Sequence, residues 1–201
     1  MQLSSRLLEQ AVAALNTLPS VGKKTALRLA MHLLQQDSSR VEDFCQSILA
    51  MRKGIKFCQK CHNISDDDIC HICLSPARQT GVVCVVESIK EAMAIENSQH
   101  YNGQYHVLGG LISPSEGISP NQLQLQSLFE RVRAGGISEL IMALSPTIEG
   151  ETTIHYIAQH LRDTNVKISS IARGVSFGSE LEYADEMTLG RSIIARTPIQ
   201  R

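Results

Sequence analysis

The chain has 201 residues, of which 43 % are hydrophobic, 19 % charged and 4 % aromatic, and it contains no Trp. This length suits one medium domain, or a small domain beside a larger one, with a core built mostly from aliphatic side chains. No run approaches the roughly 20 uncharged apolar residues of a membrane helix, and Glu9 interrupts the apolar N-terminus, which no export-type cleavage site follows. We therefore expect no membrane association and a location in the reducing cytosol.

The net charge is −1, but the charges are unevenly distributed. Residues 1–60 contain nine Lys or Arg and four Asp or Glu, a net charge of +5, and the remainder carries −6. A basic first part suits a polyanion such as nucleic acid, and an acidic second part suits a metal ion or a basic partner. Chance variation of a solvated surface is the alternative that charge alone leaves open.

Three amphipathic helices are predicted within residues 1–57. Apolar side chains fall on one helical stripe over residues 3–18, on a second over 26–34 and on a third over 41–49. Residues 18–22 (LPSVG) have the composition of a tight turn between the first two helices. Residues 37–39 (DSS) separate the second helix from the third and provide a cap for it.

The turn at residues 18–22 leads into a basic helix start that carries Lys23, Lys24 and Arg28. Backbone N–H groups and the helix dipole favour an anion at such a start, so a nucleic-acid phosphate, bound without reading of the base sequence, is the predicted ligand. The G-x4-G-K-[ST] pattern of a nucleotide-binding loop is not met. An ordinary helical hairpin with solvated lysines stays open. The pattern resembles the helix-hairpin-helix motif, with Ser20 in place of its first glycine.

Four cysteines follow with the spacing Cys58-x2-Cys61-x8-Cys70-x2-Cys73. Two residues between paired cysteines let one turn present two sulfurs to one ion, and two such turns complete a tetrahedron. Four soft thiolates favour zinc over magnesium or calcium, and they leave no open position for catalysis. The segment therefore predicts a structural zinc site, because disulfides are disfavoured in a reducing compartment.

The other cysteines and nearby histidines are predicted to lie outside the ligand set. His62 and His71 each follow a cysteine, and we expect them beside the site or on the surface. Cys45 and Cys84 lie in apolar patterns and are predicted core residues. We further hypothesise that the zinc fixes the angle between the basic hairpin and the sheet that follows, without chemistry of its own.

From Gly81 onwards the pattern changes to alternating strands and helices. We predict four strands, at residues 82–86, 105–108, 140–144 and 166–172, and three intervening helices, near 88–97, 121–134 and 151–163. The continuous apolar run at 82–86 is typical of a strand buried on both faces, so this order predicts a parallel sheet covered by helices. The last 29 residues, from Arg173, are expected to form an arm that packs on this chain or on another subunit.

Acidic residues follow two of the predicted strands. Glu87 follows the first strand, and Glu149 and Glu151 follow the third within the stretch SPTIEGE at residues 145–151. Open α/β sheets place their sites at the carboxyl ends of the strands, where carboxylates can hold Mg²⁺ for phosphoryl chemistry. Acids that are merely solvated at strand ends are the open alternative.

The acidic stretches resemble the Toprim domain, which topoisomerases, primases and some nucleases share. Catalytic members usually carry Asp-x-Asp just before the Glu-Gly-Glu element, and this chain has Ser145 and Thr147 at those two positions. A hard cation is weakly held by few carboxylates, which disfavours a two-metal mechanism.

In their order along the chain, the motifs resemble the RecR family of recombination mediators from end to end. The stretches that carry the resemblance are residues 18–30, 58–73, 105–117 (YHVLGGLISPSEG), 145–151 and 171–190 (IARGVSFGSELEYADEMTLG). The resemblance implies an α+β multidomain chain with a helix-hairpin-helix DNA-binding region at 1–57, a four-cysteine zinc finger at 58–73, an α/β Toprim domain with a parallel sheet at 80–172 and a C-terminal arm at 173–201.

The resemblance also implies a non-enzymatic role in recombinational DNA repair. RecR proteins act with RecO and RecF to help load the RecA recombinase onto single strands coated by single-strand-binding protein, and they are known as ring-forming tetramers able to encircle DNA. By resemblance, DNA phosphates would be faced by the basic side chains of Lys23, Lys24 and Arg28. A partner-binding surface would be formed by the Toprim acids Glu87, Glu149 and Glu151.

A Mg²⁺-dependent nuclease or topoisomerase-like enzyme is the alternative function. A topoisomerase needs a nucleophile, usually a tyrosine, and none of the four tyrosines lies in a recognisable nucleophile context (Tyr101, Tyr105, Tyr156 and Tyr183). The missing Asp-x-Asp element is a second argument against an enzyme. We therefore predict a DNA-binding scaffold that is not an enzyme.

Overall fold

The computed structural model describes residues 5–172, 174–175, 178 and 180–198 of the chain. Leu3, on the first predicted apolar stripe, and Arg173, where the predicted C-terminal arm begins, lie outside these residues. The chain divides into two units, Met1–Ile55 and Lys56–Arg201. Among the helices of the described part, none has the length and apolar content to cross a bilayer.

The first unit contains the three predicted helices, α1 (Arg6–Leu15), α2 (Lys23–Leu34) and α3 (Ser38–Gly54). Ser5 is the N-cap residue of α1, and its hydroxyl accepts a hydrogen bond from the backbone N–H of Leu8 at 3.4 Å. Helices α1 and α2 pack against each other across the turn that joins them. The prediction of a helical N-terminal region is therefore confirmed.

Much of the apolar surface of this unit is exposed. Ala26 and Ala30 are buried, whereas α3 buries none of its residues, and four of its large apolar side chains are about half exposed (Phe44, Ile48, Leu49 and Met51). Cys45 is also exposed, so its prediction as a core residue is wrong for the single chain. The periodicity located α3 correctly, and its apolar stripe stays about half exposed.

The second unit begins with a two-stranded antiparallel ribbon, β1 (Lys56–Phe57) and β2 (Ile64–Ser65), followed by the short helix α4 (His71–Leu74). Cys58 and Cys61 lie in the connection between the strands, Cys70 is the N-cap residue of α4, and Cys73 lies within that helix. The four predicted ligands are thus distributed over a ribbon and a helix start.

The rest of this unit alternates strands and helices as predicted. The elements are β3 (Val82–Val86), α5 (Ile89–Ser98), β4 (Gln104–Val107), α6 (Leu125–Arg133), β5 (Glu139–Ala143), α7 (Ile148–His160), β6 (Lys167–Ser170) and α8 (Glu186–Ile194). The four strands form one parallel sheet in the order β4-β3-β5-β6. Strand β4 is therefore an edge strand, and β3 lies inside the sheet, in agreement with its continuous apolar sequence.

Side chains alternate between two cores on the faces of the sheet, as the pleat requires. From β3, Val83 and Val85 join one core with residues of α6 and α7. Cys84 and Val86 join the other core with the four cysteines of residues 58–73, Ala92 of α5 and Tyr105 and Val107 of β4. The prediction that Cys84 is a core residue is correct, and burial raises the pKa of its thiol to about 12.

Two helix starts differ from their predicted positions. Helix α7 begins at Ile148, three residues before the predicted start, because Thr147 is its N-cap and accepts a hydrogen bond from the N–H of Gly150 at 3.2 Å. Helix α6 begins at Leu125, four residues after the predicted start, since a separate 3-10 turn occupies Pro120–Gln122. The first shift moves Glu149 from a loop into the first turn of a helix, where it joins Glu151, the first residue of the predicted helix.

Candidate metal centre, nucleic-acid interface and acidic sheet edge

The four cysteines of the ribbon and α4 come together as one buried cluster. Cys58, Cys61, Cys70 and Cys73 are each at most 3 % exposed, and their sulfurs lie within 4.8 Å of one another. The Sγ atoms of Cys61 and Cys70 are 3.6 Å apart. A tetrahedron with Zn–S bonds of about 2.3 Å places its sulfurs roughly 3.8 Å apart, so this set has the size and the soft donors that a zinc ion requires.

The backbone around the cluster holds the sulfurs in place. The N–H of Cys58 donates to the carbonyl of Asn63 at 2.8 Å, and the N–H of His62 donates to the carbonyl of Cys58 at 2.8 Å, which closes the first turn. His62 occupies the left-handed region with φ +61°. The N–H of Cys70 points to the Cys58 sulfur at 3.3 Å, a contact that stabilises a thiolate.

The cysteine segment is also attached to the outer side of the edge strand β4. The N–H of Val107 donates to the carbonyl of Cys61 at 2.9 Å, and the amide nitrogen of the Gln104 side chain donates to the carbonyl of Cys73 at 3.4 Å. The unpaired polar groups of an edge strand invite pairing with other chains. The cysteine segment therefore covers part of an edge that would otherwise be open.

Two histidines extend this attachment to α6. The His62 Nε2 atom lies 2.8 Å from the Ser127 hydroxyl, and the His62 ring meets the His106 ring edge-to-face at 5.2 Å. His106 is fully buried on β4, with Nε2 2.8 Å from the carbonyl of Gln124. His62 is thus beside the site and outside the ligand set, as predicted, and His71 is exposed.

Arg131 on α6 contributes to this region, although no motif in the sequence indicates it. Its Nη1 donates to the carbonyl of Tyr105 at 2.7 Å, and its Nη2 donates to the side-chain oxygen of Gln104 at 2.6 Å. Gln104 in turn contacts the carbonyl of Cys73. In the sequence Arg131 lies beside the apolar stripe of α6, where a charged residue is ordinarily solvated, so no local pattern indicates its inward position.

The basic hairpin is built on a tight turn with a left-handed residue. The N–H of Val21 donates to the carbonyl of Leu18 at 3.1 Å, and Ser20 has φ +64°. Proline followed by a residue of positive φ is the arrangement of a type II turn, in which glycine is preferred at the second position. Ser20 therefore adopts the glycine conformation expected of a helix-hairpin-helix turn.

Helix α2 starts at this turn without a side-chain cap. Gly22 is its N-cap residue, and the first intrahelical bond runs from the N–H of Ala26 to the carbonyl of Gly22 at 2.9 Å. The N–H groups that precede this bond have no acceptor within the helix. Lys23, Lys24 and Arg28 are exposed around the same end. The turn therefore presents backbone donors and positive charge together, which is the arrangement that binds phosphate.

The predicted acids lie at the carboxyl ends of β3 and β5. Glu87 directly follows β3, and its carboxylate accepts a hydrogen bond from the Ser145 hydroxyl at 2.9 Å. Glu149 and Glu151 lie in the first turn of α7, where the helix dipole favours negative charge. A Cβ atom at Gly150 would collide with the carbonyl oxygen of Ser145, so the Glu-Gly-Glu element needs its glycine for close packing.

These three glutamates are not gathered around one metal position. In the part of the chain that the structure describes, the four cysteines form the group of metal-binding side chains whose donor atoms come together, and no group of three carboxylates does so. The hydroxyl of Ser145, at one of the two sequence positions where the Asp-x-Asp element would stand, is hydrogen-bonded to Glu87. Among the described residues, the arrangement provides an acidic edge without a second metal site.

Two tyrosines of this unit are engaged in structural contacts. The Tyr101 hydroxyl donates to the carbonyls of Gln104 at 2.7 Å and Val82 at 3.1 Å, and the Tyr105 hydroxyl donates to the Glu96 carboxylate at 2.8 Å. Burial raises the pKa of both phenols above its ordinary value. A nucleophilic phenol needs easy deprotonation, so neither group has the environment of a nucleophile.

Comparison with family models accounts for nearly the whole chain. Residues 8–52 match a model described as RecR, helix-hairpin-helix, and residues 55–75 match the model of the RecR four-cysteine zinc finger domain. Residues 81–172 match Toprim domain, and residues 174–197 match RecR, C-terminal. The matched segments follow the same order as the structural elements described above.

Full-length relatives agree with these matches. Proteins described as Recombination protein RecR are 55 % identical over 196 residues in Bacteroides thetaiotaomicron (98 % of this chain and 96 % of the relative) and 53 % identical over 200 residues in Flavobacterium psychrophilum (100 % and 97 %). A third, from Porphyromonas gingivalis, is 53 % identical over 194 residues (96 % and 94 %). The chain therefore belongs to the RecR family.

Proposed function

We propose that this chain is a DNA-binding mediator of recombinational DNA repair that catalyses no reaction. It acts in the cytoplasm with RecO and RecF and helps load the recombinase onto single-stranded DNA. The observation that carries its DNA-binding part is the uncapped start of α2, where free backbone N–H groups lie beside the exposed Lys23, Lys24 and Arg28. The recombination part is supported by its relatives, which are described as Recombination protein RecR.

Contacts of this kind bind phosphates and do not read bases. Lys24 and Arg28 are four residues apart, so they project from the same side of α2, and Lys23 lies next to them at the helix start. Lysine, arginine and backbone N–H groups at a helix N-terminus are the usual donors to nucleic-acid phosphates. Binding is therefore expected on single and double strands alike, with little dependence on sequence.

Salt dependence of DNA binding tests this proposal. Fluorescence anisotropy would measure the dissociation constant for labelled single- and double-stranded oligonucleotides over a range of salt concentrations. Each lost phosphate contact should reduce the slope of log K against log salt by about 0.9 on duplex DNA and about 0.7 on single strands. The Lys24→Ala, Arg28→Ala double variant should therefore bind every sequence more weakly. On duplex DNA its slope of log K against log salt should be reduced by the amount expected for roughly two phosphate contacts.

A matched control removes the same charge from the same unit. Arg52 and Lys53 are exposed in the last turn of α3, so their double alanine variant has the same net charge as the α2 variant. It should keep most of the wild-type affinity. Equal loss in both variants would show that net charge alone governs binding, and an unchanged α2 variant would contradict the assignment of this face to DNA.

The acidic edge supports a role in binding partners. Ser145 and Thr147 stand where catalytic Toprim domains have aspartates, Ser145 is hydrogen-bonded to Glu87, and Thr147 caps α7. Carboxylates without a metal present a negative surface to a basic partner. We propose that Glu87, Glu149 and Glu151 belong to such a surface. DNA cleavage that requires Mg²⁺ and disappears in Glu149→Ala would instead establish the enzymatic alternative.

The exposed apolar surface supports assembly with further copies of the chain. The apolar residues of α3 are half exposed, and on α8 Met187, Ile193 and Ile194 are each at least 66 % exposed. Apolar patches of this kind on a single chain mark surfaces that other molecules cover. We propose a homo-oligomer, with a tetrameric ring as the expected form. Light scattering with and without DNA gives its mass, and a strictly monomeric protein would exclude a ring.

Zinc is the proposed cofactor, held by Cys58, Cys61, Cys70 and Cys73. When bound, the ion supplies a structural crosslink and no chemistry, since four thiolates fill its coordination sphere. The crosslink would fix the cysteine segment against the edge strand β4, where the bonds from Val107 and Gln104 already attach it.

A further inference from the structure

Arg131 is a cation held inside the second unit without an acidic partner among the described residues. Its guanidinium is partly buried between α6 and β4 and donates to a backbone carbonyl and a neutral amide, from Tyr105 and Gln104. The ion pairs found in the described part of the chain join Lys56 to Asp68, Arg78 to Glu96 and Lys167 to Glu139, and none includes Arg131. A charge in such a position ordinarily requires a counter-charge.

Among the described residues, the cysteine cluster is a source of negative charge near Arg131. Gln104 links the guanidinium to the carbonyl of the ligand residue Cys73. Burial lowers the pKa of Arg131, and the charges of Cys73, Cys61 and Cys58 oppose that shift. Four thiolates around one Zn²⁺ ion leave a net charge of −2 on the centre. A fixed positive charge nearby would offset part of it in a medium that screens weakly.

We propose that Arg131 is the counter-charge of the four-cysteine centre and acts on it as a positioning residue from outside the ligand set. This inference rests on the proposed zinc site. The guanidinium offsets part of the charge of −2 on the zinc-bound centre and so raises the affinity of the cluster for zinc. Through Gln104 it also fixes the Cys73 end of the cysteine segment to β4. Zinc binding is thereby coupled to the docking of α6 on the sheet edge.

The test compares zinc affinity among variants of the full chain. Zinc content of the purified wild type is measured first, since a protein without zinc would refute the proposed cofactor before Arg131 is in question. Competition with a chromophoric chelator then gives the affinity of each variant. Removal of a group that supports a metal site typically costs about 10–100-fold in affinity, and Arg131→Gln should lie in that range. Arg131→Lys, which keeps the charge, should recover most of the loss.

A spectroscopic measurement separates charge from a merely structural effect. In the Co²⁺-substituted protein the sulfur-to-metal charge-transfer bands report the electron density on the thiolates. Loss of a nearby positive charge raises the energy of the sulfur electrons, so Arg131→Gln should shift these bands to longer wavelength and Arg131→Lys should not. Arg133→Gln is the matched control, because Arg133 is exposed on the same helix and donates to the carbonyl of His160.

A second substitution keeps the test decisive if Arg131→Gln does not fold. Gln104→Glu would give the guanidinium a carboxylate partner in the same place. Zinc affinity should therefore fall, and the Co²⁺ bands should shift to longer wavelength, as in Arg131→Gln.

Arg131 and Lys60 also line a cavity of about 470 Å³ whose lining includes no acidic residue among those described. Unchanged zinc affinity in both variants, with stabilisation of the wild type by inorganic phosphate, would assign the guanidinium to an anion in that cavity and overturn the proposal.

Discussion

The hydroxyl of Ser145 donates a hydrogen bond to the carboxylate of Glu87 at 2.9 Å, across the carboxyl ends of two adjacent parallel strands. The bond occupies one carboxylate oxygen of Glu87 and places the neutral hydroxyl of Ser145 next to that carboxylate. A catalytic Toprim site would need negative charge at that point to hold a cation. The pair therefore places a neutral hydroxyl beside Glu87 at one of the two positions where the Asp-x-Asp element would stand.

Restoring the missing acid should make the edge dependent on a cation. Ser145→Asp would place two carboxylates next to each other and remove the hydrogen bond, so the free energy of unfolding should fall by about 1–2 kcal/mol without divalent ions. Mg²⁺ should recover much of that loss. Thermal denaturation with and without Mg²⁺ measures both effects. Ser145→Ala, which loses the bond alone, is the control and should not respond to Mg²⁺. An equal response of the two variants would contradict this account.

Loss of one zinc ligand should destabilise the second unit. Metal-binding free energies of roughly 10–16 kcal/mol in zinc-finger peptides act as folding free energy, so Cys58→Ser should lower stability by more than about 3 kcal/mol. Its zinc content should fall below that of the wild type. Cys45→Ser is the matched control, because Cys45 is exposed on α3 and outside the cluster. A Cys58→Ser protein that retains wild-type stability and assembly would show that the ion has no structural role.

The sequence predicted the features that depend on local spacing. The alternation of apolar runs located all four strands of the sheet, and the cysteine pairs identified the cluster. It did not predict the attachment of the cysteine segment to β4 through Val107 and Gln104, or the inward position of Arg131. These contacts join residues far apart in the chain, and they depend on which strand becomes the sheet edge. Local periodicity carries no information about that order.

Ser20, the left-handed residue in the hairpin, gives a prediction of increased stability, whereas the substitutions above are expected to destabilise the protein. A non-glycine residue with positive φ costs roughly 1–2 kcal/mol, and glycine costs roughly 0.5–1 kcal/mol in chain entropy. Ser20→Gly should therefore stabilise the first unit by about 0.5–1 kcal/mol. Hydrogen exchange of α1 and α2 peptides measures the change. Ser47→Gly, in the middle of α3, should destabilise by a similar amount. Stabilisation by both substitutions would contradict the turn argument.

His106 is a buried base whose Nδ1 atom has no hydrogen-bond partner among the described residues. Burial lowers its pKa to about 3, whereas the contact with Gln124 raises it and the charges of Arg131 and His62 lower it. The ring is therefore neutral in the folded protein at neutral pH. Once unfolded, it regains a pKa of about 6.5 and takes up a proton below that value. The depressed pKa thus makes His106 a source of stability that is present above about pH 6.5 and decreases as the pH falls towards 3.

Replacement of His106 by an apolar ring should remove this part of the pH dependence. Between pH 7.5 and 5.5 protonation of the unfolded His106 should cost the wild type about 1.4 kcal/mol of unfolding free energy, and His106→Phe should not show this loss. Chemical denaturation at the two pH values gives the difference for each protein. His100→Phe is the control, since His100 is exposed and should leave the wild-type pH dependence in place. If His106→Phe kept the full dependence, the ring would have to accept a proton within the fold, and the unpartnered Nδ1 would then be the atom that receives it.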